Sequence, residues 1–427
     1  MHESDKKLPN RTHVACILLW YPLFTQPFIF REVEELKKLL PVTVHTLYGK
    51  NLTHCSEEMR RVADSCHTNG MAALPHILKA LGHEMCHNPK RLWRLFRETI
   101  FFRWPNLEVL GENLWAFCMA LILAKRLQEE GISVCYAPWP RGTTTCARVI
   151  QKLTGIPFVT TVRGDNLMPA DPDLCAKMGE ATYVRTNNLA DKKRIEAFGH
   201  GEAKEKTHLI YNGLTLSENT SSPHILSYSS KRPLALMALG RFDVTKGFDI
   251  LIEACFLLNK KIAVSLTLGG GGGIRMGLGK LEKELRALCA KRNLTEIVHF
   301  PGLISHNDLP EILAHHDIFV APCVIDAEGR RDGIPNTVIE AMSQGLPVVA
   351  SNIHALPEVV LNQKTGLTVP QKDPKALADA ILWLAEHPEE AAAFGKAGMR
   401  HVQELFHSEK NAKQLADLLC SAAKNGQ

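Results

Sequence analysis

Short apolar runs alternate with longer segments of helical period along most of the chain. In the first half, the runs that predict strands are residues 14–20, 42–47, 133–136, 158–162, 183–185 and 208–211. A second series follows at residues 234–239, 263–268, 297–300, 318–321 and 347–350. Because this alternation is typical of a parallel sheet with helices on both faces, it predicts an α/β protein with two doubly wound domains.

A segment without periodicity separates the two series. Residues 217–230 are rich in Ser, with Asn and Pro, which is the composition of an interdomain linker. We therefore expect a first domain at 1–216 and a second at 231–404, with a C-terminal helix, 405–427, that packs back on the first. The long, mainly helical stretch 51–130 predicts extra helices on the first domain.

The composition is that of a soluble globular protein. Of the 427 residues, 45% are hydrophobic and 22% are charged. The longest uninterrupted apolar runs, 14–24 and 115–124, are about ten residues long, whereas a membrane span needs roughly 18 to 20, so no transmembrane helix is expected. Residues 1–10 mix acids with bases and lead to no small-residue cleavage site, which argues against a secretory signal.

The spacing of the cysteines indicates a cellular compartment, and the distribution of charge distinguishes the two halves of the chain. The twelve cysteines lie well apart and form no Cys-x-x-Cys pair, which favours neither a disulfide framework nor a zinc ribbon and fits a reducing cytoplasm. Residues 1–215 carry 28 Lys and Arg against 22 Asp and Glu, whereas the remainder carries 22 against 23. The first half is therefore the one expected to meet any anionic surface.

Two cations follow the first strand of the second series. The loop there reads Gly-Arg-Phe-Asp-Val-Thr-Lys-Gly over 240–247 and precedes a helical segment, 248–258. Since ligands bind at the carboxyl ends of strands in an open α/β sheet, Arg241 and Lys246 are candidates for contact with a pyrophosphate. Taken alone, two solvated surface bases would be the commoner explanation.

Five consecutive glycines, 269–273, follow the next strand. Positions such as Gly270 let a backbone approach a ligand closely and adopt positive φ. The run has no Gly-x-Gly-x-x-Gly frame and the chain has no Gly-x4-Gly-Lys-Ser/Thr motif, so dinucleotide and P-loop sites lose support. By itself the run indicates no more than a glycine-rich loop.

The segment 327–342 is the most informative. Pro335 suits the first turn of a helix, and a helix start there would direct free backbone N–H groups and the helix dipole at a phosphate. The residues at this start are Gly333, Ile334, Pro335, Asn336 and Thr337. Asp332 precedes the helix and Glu340 lies about two turns into it, so the two carboxylates would address different parts of one extended ligand. A carboxylate only accepts hydrogen bonds, which suits a pair of sugar or ribose hydroxyls.

Four motifs occur in a fixed order along the second half: Gly-Arg-x4-Lys-Gly, Asp-Gly-Ile-Pro-Asn-x3-Glu-Ala-Met, Gly-Leu-Pro-Val-Val-Ala-Ser at 345–351 and Leu-Pro-Glu-Val-Val at 356–360. Together they resemble family 4 of the retaining glycosyltransferases, which have the GT-B fold of two Rossmann-like domains facing a cleft. The resemblance covers essentially the whole chain and is densest over 234–370. The acid at Asp332 is the commoner Glu in most of the family, and Asp is found in branches that build exopolysaccharide or lipopolysaccharide.

The resemblance implies a reaction. A retaining enzyme of this family moves a sugar from an NDP-sugar to a glycan or lipid-linked acceptor and requires no metal or other cofactor. Arg241 and Lys246 would contact the donor pyrophosphate. No nucleic-acid partner is expected.

The resemblance also distributes the remaining donor contacts. Glu340 would hold the ribose hydroxyls, and Asp332 would face the donor sugar. The backbone at Gly302 and Leu303 would lie by the base. A sugar-nucleotide epimerase of the same fold and a non-catalytic sugar-nucleotide-binding protein remain alternatives.

The first half resembles the family more loosely. Residues 21–36 are similar to the first loop and helix of polysaccharide-building members, and residues 211–213 are similar to their Pro-Asn-Gly turn. After the strand 158–162 the family often has a His, where this chain has Arg163-Gly164-Asp165. Arg163 is therefore a candidate for contact with the donor sugar or phosphate, and a structural salt bridge to Asp165 is an equal alternative.

Two short motifs suggest metal chemistry instead. Residues 83–87 match the zinc-protease pattern His-Glu-x-x-His, but Gly82 is expected to open that helix, Asn88-Pro89 ends it, and no third ligand follows. Residues 171–173, Asp-Pro-Asp, resemble the Asp-x-Asp metal site of another glycosyltransferase fold. They lie among prolines, where surface turn residues are the better explanation. Neither motif predicts a metal site.

Residues 90–104 predict a basic amphipathic helix. Its basic stripe consists of Arg91, Arg94 and Arg97, with Leu92, Trp93, Phe96 and Ile100 beside it. Such a helix would contact an anionic membrane surface or a lipid-linked acceptor, which would place a cytoplasmic protein on the inner face of the membrane. Burial of the apolar residues in an enlarged core is the competing and slightly favoured interpretation.

Overall fold

The computed structural model describes residues 12–24, 26–53, 55–101, 107–163, 173–198, 202–214, 232–271, 278–305 and 308–426. The chain divides into two compact units. The first comprises Met1–Thr215 with Ser408–Gln427, and the second comprises Leu216–His407. The predicted linker, 217–230, lies outside the described residues.

The first unit contains a parallel sheet of seven strands in the order β3-β2-β1-β4-β5-β6-β7. The strands are β1 Val14–Trp20, β2 Val42–Gly49, β3 His67–Thr68, β4 Val134–Ala137, β5 Phe158–Val162, β6 Tyr183–Thr186 and β7 Thr207–Leu209. The helices are α1 Pro27–Leu39, α2 Glu57–Val62, α3 Leu74–His87, α4 Pro89–Phe96, α5 Leu107–Glu129, α6 Gly142–Thr154, α7 Leu174–Glu180, α8 Leu189–Phe198 and α9 Glu202–Lys206.

Alternate residues of β1 enter two different cores. Ala15 and Ile17 pack with α5 and α6 on one face of the sheet, whereas Cys16 and Leu18 pack with α1 on the other. Successive strand residues point to opposite faces, so a strand covered on both sides must be apolar throughout, and β1 is. The last helix of the chain, Ser408–Asn425, belongs to this unit and packs against α1.

The second unit contains a parallel sheet of six strands in the order β10-β9-β8-β11-β12-β13. The strands are β8 Leu234–Leu239, β9 Val264–Gly269, β10 Val298–Gly302, β11 Ile318–Ala321, β12 Val348–Ser351 and β13 Leu367–Val369. The helices are α10 Phe248–Leu258, α11 Leu278–Lys291, α12 Leu309–Ala314, α13 Asn336–Ser343, α14 Pro374–Glu386 and α15 Pro388–Leu405; Ser408–Asn425 of the first unit is α16. All eleven predicted strands are present, with ends shifted by at most two residues, and the prediction of two doubly wound sheets is confirmed.

Two strands at sheet edges were not predicted. β3 and β13 have two and three residues. A run this short cannot display a period, and β3 consists of His67 and Thr68, which are polar. These strands form because a neighbouring strand offers them a free edge.

The helix α5 corrects the expectation that no transmembrane helix is available. Among the described residues, it is the one helix long and apolar enough to cross a membrane by length and composition, with a mean hydropathy of 1.6 over its most apolar window. Half of that window is buried inside the unit. The sequence criterion failed because it counted uninterrupted apolar runs, whereas α5 includes scattered polar residues such as Glu112 and Asn113.

Candidate functional site

The second sheet reverses its strand order at β8. Its neighbours β9 and β11 lead to opposite edges of the sheet, which makes the carboxyl ends of β8 and β11 the switch point of this fold. Ligands of open α/β sheets bind at such a point. The loops after β8 and β11 are those that contain Arg241, Lys246 and Asp332.

The loop after β8 has one defined shape. The Asp243 carboxylate accepts hydrogen bonds from the backbone N–H and the hydroxyl of Thr245, at 3.0 and 2.9 Å, and so starts a 3-10 turn that ends at Lys246. Gly247 follows with φ +64°, and a Cβ there would lie 2.0 Å from the carbonyl oxygen of Pro322. Only glycine fits this position, and the close approach holds Lys246 against the loop after β11.

Lys246 and Asp332 form an ion pair. The Lys246 Nζ lies 2.9 Å from Asp332 Oδ2, and their side chains are 12% and 17% exposed. Burial of the ammonium acts to lower its pKa, but the charge and hydrogen bond of Asp332 together with the nearby Cys323 outweigh burial and raise the pKa of Lys246 above its ordinary value. Lys246 therefore carries a positive charge at neutral pH.

Arg241 lies in the same loop but is exposed to solvent. Its guanidinium makes no hydrogen bond or ion pair with the part of the chain that the structure describes. Burial acts to raise the pKa of Asp243, but the hydrogen bonds from Thr245 and, to a smaller extent, the positive charge of Arg241 lower it below its ordinary value. Arg241 is thus available to an anionic ligand at the strand ends.

Glycines bring the neighbouring strand ends together. Gly270 has φ +136°, and a Cβ on it would lie 1.9 Å from the carbonyl oxygen of Gly240. Its N–H donates to the carbonyl oxygen of Gly302 at 2.8 Å. Gly302 has φ +81°, and Leu303 beyond it is 55% exposed, so a flat apolar group has a contact surface there. Of the glycine run 269–273, the last two residues lie outside the described chain.

The predicted helix after Asp332 is α13. Pro335 is its N-cap in an extended conformation, Gly333 and Ile334 precede it, and the helix begins at Asn336. The Thr337 hydroxyl donates to the carbonyl oxygen of Leu239 at 3.1 Å, which ties the start of the helix to the end of β8. The first N–H groups of a helix have no partner within it, so this end suits an anion.

Glu340 lies nearer the helix start than the sequence suggested. The helix begins at Asn336, so Glu340 stands four residues, or about one turn, into it, and the expected distance of two turns is wrong. Pro335 forms the cap and contributes no helical turn of its own. Glu340 is therefore close to the same end of α13 as the N–H groups of Asn336 and Thr337.

Cys323 is a neighbour of this pair that the sequence did not single out. Its thiol is buried beside Lys246 and Asp332, and burial raises its pKa to about 12. A thiol with this pKa stays protonated at neutral pH and is a poor nucleophile. We assign Cys323 a packing role beside the ion pair.

Arg163 belongs to the first unit, where it lies in a buried cluster with Glu32 and Arg185. Its guanidinium donates to Asn212 Oδ1 at 2.6 Å and lies 3.4 Å from Glu32 Oε2. It also stacks over the rings of Phe28 and Trp139, with distances of 5.0 and 5.4 Å to their centroids. The alternative partner, Asp165, lies outside the described residues.

The cluster is held by several strands at once. Arg185 on β6 makes a short ion pair with Glu32 of α1 and donates to the Tyr136 hydroxyl on β4 at 2.9 Å. Tyr136 in turn donates to Glu32 at 2.6 Å. Burial alone would raise the pKa of the Glu32 carboxyl, but Arg185 and Arg163 hold it below its ordinary value.

Sequence reasoning missed Glu32, Arg185 and Tyr136. For Glu32 and Arg185, the sequence pattern contained a signal that could have identified them. Glu32 shares the apolar face of α1 with Ile29, Val33 and Leu36, and Arg185 interrupts a buried strand. A charge on an apolar face requires a partner of opposite charge, and these two residues satisfy each other.

The His-Glu-x-x-His segment, residues 83–87, makes contacts that do not resemble a metal site. The rings of His83 and His87 stack on each other at 4.3 Å, and the Glu84 carboxylate is held by Arg91 at 2.7 Å. The expectation that Gly82 opens this helix is wrong, because α3 begins at Leu74 and Gly82 lies inside it. Among the described residues, no group of three or more His, Cys, Asp or Glu side chains is placed to hold a metal ion.

Asp173 corrects the reading of residues 171–173 as surface turn residues. It is 1% exposed and accepts from Arg148 of α6 at 3.2 Å, with Lys177 of α7 at 3.9 Å. Asp171 and Pro172 lie outside the described residues. The proline-rich surroundings indicated a surface turn, and the sequence contained no sign of the buried ion pair, because Arg148 lies 25 residues away in another helix.

Known proteins match the chain at this site and beyond it. A family model described as "Glycosyl transferases group 1" matches residues 233–387, which include Lys246, Asp332 and Glu340. A relative from Corynebacterium glutamicum, named GDP-mannose-dependent monoacylated alpha-(1-6)-phosphatidylinositol monomannoside mannosyltransferase, is 31% identical over 338 residues. That alignment covers 75% of this chain and 83% of the relative. The chain belongs to the group 1 glycosyl transferases.

Other relatives of this group 1 glycosyl transferase match over shorter stretches. The amylovoran biosynthesis glycosyltransferase AmsK of Erwinia amylovora is 30% identical over 191 residues, or 44% of this chain. The chain spans about 45% of the length of AmsK and of the relatives named for colanic acid biosynthesis in Escherichia coli and Salmonella typhimurium.

Solved structures match nearly the whole chain. HepE of Anabaena, crystallised in complex with UDP, gives a TM-score of 0.70 at 17% identity and covers 96% of this chain and 100% of that one. A sucrose-phosphate synthase from Thermosynechococcus elongatus gives a TM-score of 0.70 at 18% identity, covering 97% and 100%. This group 1 glycosyl transferase therefore has the GT-B fold of two Rossmann-like domains, as the sequence resemblance implied.

Proposed function

We propose that the protein is a retaining glycosyltransferase that moves a sugar from an NDP-sugar to a glycan or lipid-linked acceptor in cell-surface polysaccharide synthesis. The observation that carries the proposal is the Lys246–Asp332 ion pair at the switch point of the second sheet. It combines a fixed cation, an exposed second cation at Arg241 and the start of α13 within the loops of one sheet edge. Together these groups suit a pyrophosphate that carries a sugar.

The leaving group defines what the cations do. As the bond from the sugar to the NDP breaks, negative charge grows on the pyrophosphate and positive charge grows on the sugar ring. Lys246, Arg241 and the first N–H groups of α13 would stabilise the departing anion, because they are already oriented before the bond breaks. In this proposal no metal ion is required, since these groups supply the positive charge.

The two carboxylates have separate tasks in the proposal. Glu340, about one turn into α13, would accept hydrogen bonds from the ribose hydroxyls. Asp332, ahead of the helix and paired with Lys246, would face the donor sugar. No side chain is assigned as a nucleophile, and retention would follow from attack on the face that the NDP leaves. The exposed Leu303 and the backbone of Gly302 would lie by the base.

The names of the relatives support the acceptor class. They include enzymes of amylovoran synthesis and mannosyltransferases that act on phosphatidylinositol mannosides. A glycan or a lipid-linked sugar is the acceptor class common to these names. The mannosyltransferases are named for GDP-mannose, whereas HepE was crystallised with UDP, so both nucleotides belong in the first test. We place the protein in the cytoplasm, where NDP-sugars would reach it.

The experiment is a screen of UDP-, GDP- and ADP-sugars. A bound donor at 100 times its Kd should stabilise the protein by about 2.7 kcal/mol, which a thermal shift detects. The donor found in this way is then incubated with and without acceptor saccharides. Acceptor-dependent release of NDP that persists in EDTA, with a product that keeps the donor's anomeric configuration, supports the proposal.

Three other outcomes would overturn it. An isomer of the donor formed without acceptor would indicate an epimerase. Binding without turnover across a broad acceptor set would indicate a sugar-nucleotide-binding protein. Loss of transfer in EDTA, restored by a divalent cation, would refute the metal-independent part of the mechanism.

A further inference from the structure

One stretch of the first unit exposes most of the large apolar side chains. Of the thirteen such side chains exposed among the described residues, eight lie between residues 71 and 114. Scattered single residues of this kind are normal on a protein surface, but a concentration of them marks a site of interaction. The donor site proposed above contains none of the eight.

The apolar face of the helix α3 is only partly buried against the core of the unit. Ile77 is 2% exposed and packs into the core. Leu74, Leu78 and Met85 are separated by four and seven residues and therefore lie along one face beside Ile77. Leu78 and Met85 are 61% and 62% exposed. The outer part of this face has no cover within the described unit.

The next two elements continue the exposed apolar surface. Leu95 of α4 and Ile100 of the following π-turn are buried and anchor the segment. Trp93 and Phe101 are 56% and 48% exposed, and their ring centroids are 5.8 Å apart. The predicted amphipathic helix 90–104 is thus divided: part of its apolar face enters the core, and an aromatic pair stays outside. Trp104 lies outside the described residues.

The charges of this stretch are unbalanced in one direction. Of its four carboxylates, Glu84 pairs with Arg91 at 2.7 Å and Glu98 pairs with Lys152 at 3.1 Å, whereas Glu108 is exposed. Glu112 accepts from the backbone N–H of Gly142 at 2.7 Å. The cations that form no ion pair with any described residue are Lys79, Lys90, Arg94 and Arg97. The surface therefore presents apolar groups together with four cations that form no ion pair with described residues, against the two carboxylates Glu108 and Glu112.

We propose that the apolar-basic surface, residues 71–101 and 107–114, docks on a lipid bilayer that contains anionic lipids. Aliphatic and aromatic side chains beside Lys and Arg are what the boundary between headgroups and acyl chains accepts. A second copy of the chain fits less well, since a two-fold contact would bring together two surfaces that each carry more positive than negative charge. The proposal does not depend on the proposed transfer reaction.

The test is flotation of the full chain with vesicles of two compositions, phosphatidylcholine alone and phosphatidylcholine mixed with phosphatidylglycerol. The parent should float with the mixed vesicles and far less with the neutral ones. A triple variant, Lys90→Gln, Arg94→Gln and Arg97→Gln, should lower the partition coefficient on mixed vesicles by about 100-fold. The matched control carries the same charge change elsewhere on the first unit, at Arg60→Gln, Arg61→Gln and Lys125→Gln, and should bind like the parent.

A second pair of variants tests the apolar part. Leu78→Ser with Met85→Ser should weaken binding to the mixed vesicles, whereas Leu39→Ser with Leu189→Ser, two exposed leucines of the first unit outside the surface, should not. All four side chains are exposed, so folding should be retained, and circular dichroism checks that it is.

The overturning results are distinct. The docking surface is refuted if the parent remains at the bottom of the gradient with vesicles of both compositions. It is also refuted if the control variants lose binding as much as the test variants. A parent that sediments as a dimer and a Leu78→Ser, Met85→Ser variant that sediments as a monomer would identify a second copy as the occupant. Transfer to a soluble acceptor should be equal in parent and variants, so failure here is separable from failure of the transferase proposal.

Discussion

Both sheets place charged side chains near the carboxyl ends of their strands, and they treat these charges in opposite ways. In the first unit, Glu32, Arg163 and Arg185 are almost fully buried, and each is bonded to other groups of the unit. In the second, Lys246 keeps contact with solvent and has one carboxylate partner, and Arg241 is exposed. The difference separates charges that organise the fold from charges available to a ligand.

The physical reason lies in what removal of one charge would leave behind. A buried charge without its partner cannot be solvated, so each member of the first cluster is needed by the others. A charge that keeps contact with solvent is at least partly solvated when its partner is removed, so it can exchange that partner for a ligand at a smaller cost in stability. Substitutions in the two regions should therefore act on different measurable quantities.

The largest effect is expected at Glu32. Glu32→Gln leaves two buried guanidinium groups without their carboxylate and should lower the unfolding free energy by about 3–5 kcal/mol. Five of the six tryptophans lie in the first unit, so denaturant unfolding followed by tryptophan fluorescence reports mainly on that unit. Glu35→Gln on the same helix, which breaks a surface pair with Lys38, should change stability by less than about 1 kcal/mol. Equal unfolding midpoints for the two variants would remove the distinction between the regions.

At the donor site the effect should appear in activity. Lys246→Gln and Arg241→Gln should each lower kcat/KM by about 10² to 10³, because both cations stabilise charge that grows as the sugar leaves. Stability should stay within about 1 kcal/mol of the parent. Lys375→Gln, an exposed lysine of α14, is the control and should leave kcat/KM unchanged. A large loss of stability with intact kcat/KM would mean that this pair, too, serves the fold.

Arg163 is the residue that most sharpens the comparison. The sequence favoured donor contact and a structural salt bridge equally, and the buried contacts favour a structural role. Arg163→Gln should lower the unfolding free energy by about 1–3 kcal/mol through the loss of its bonds to Asn212 and Glu32. NDP affinity, measured by calorimetry, should not change. A tenfold loss of affinity with unchanged stability would instead show that Arg163 contacts the donor.

Glu340 and Asp332 test the division of labour within the donor site. If Glu340 holds the ribose, Glu340→Gln should weaken binding of NDP alone by about tenfold or more. Asp332→Asn should impair transfer while sparing NDP affinity, because the sugar is absent from NDP. Calorimetry with NDP on the two variants and the parent decides, and equal affinities for all three would show that the assignment is wrong.

The smallest effect concerns pH. The folded-state pKa of Glu32 is lower than its ordinary value, so its contribution to stability is full above the unfolded pKa, about 4.3, and is lost as pH falls through the folded pKa. The difference in unfolding free energy between the parent and Glu32→Gln should therefore shrink as pH is lowered below about 4.3. A pH-independent difference would indicate that Glu32 is not charged in the folded protein.

The sequence by itself determined the strands, the order of the donor-site motifs and the GT-B resemblance. These depend on local information: the period of apolar residues, the glycines that permit a turn, and a proline before a helix. Gly240–Lys246 and Asp332–Glu340 could be paired because both segments follow strands of one parallel series, whose carboxyl ends meet at one edge.

Only the tertiary structure decided which charges are enclosed and which faces stay uncovered. Glu32 is separated from Arg163 and Arg185 by 131 and 153 residues, and no period within either segment relates them. The sequence also does not show that the outer face of α3 is exposed. Its apolar residues are equally compatible with burial in a core, and only the positions of the neighbouring helices decide between the two. Burial is set by what packs against a segment, and that depends on contacts between residues far apart in the chain.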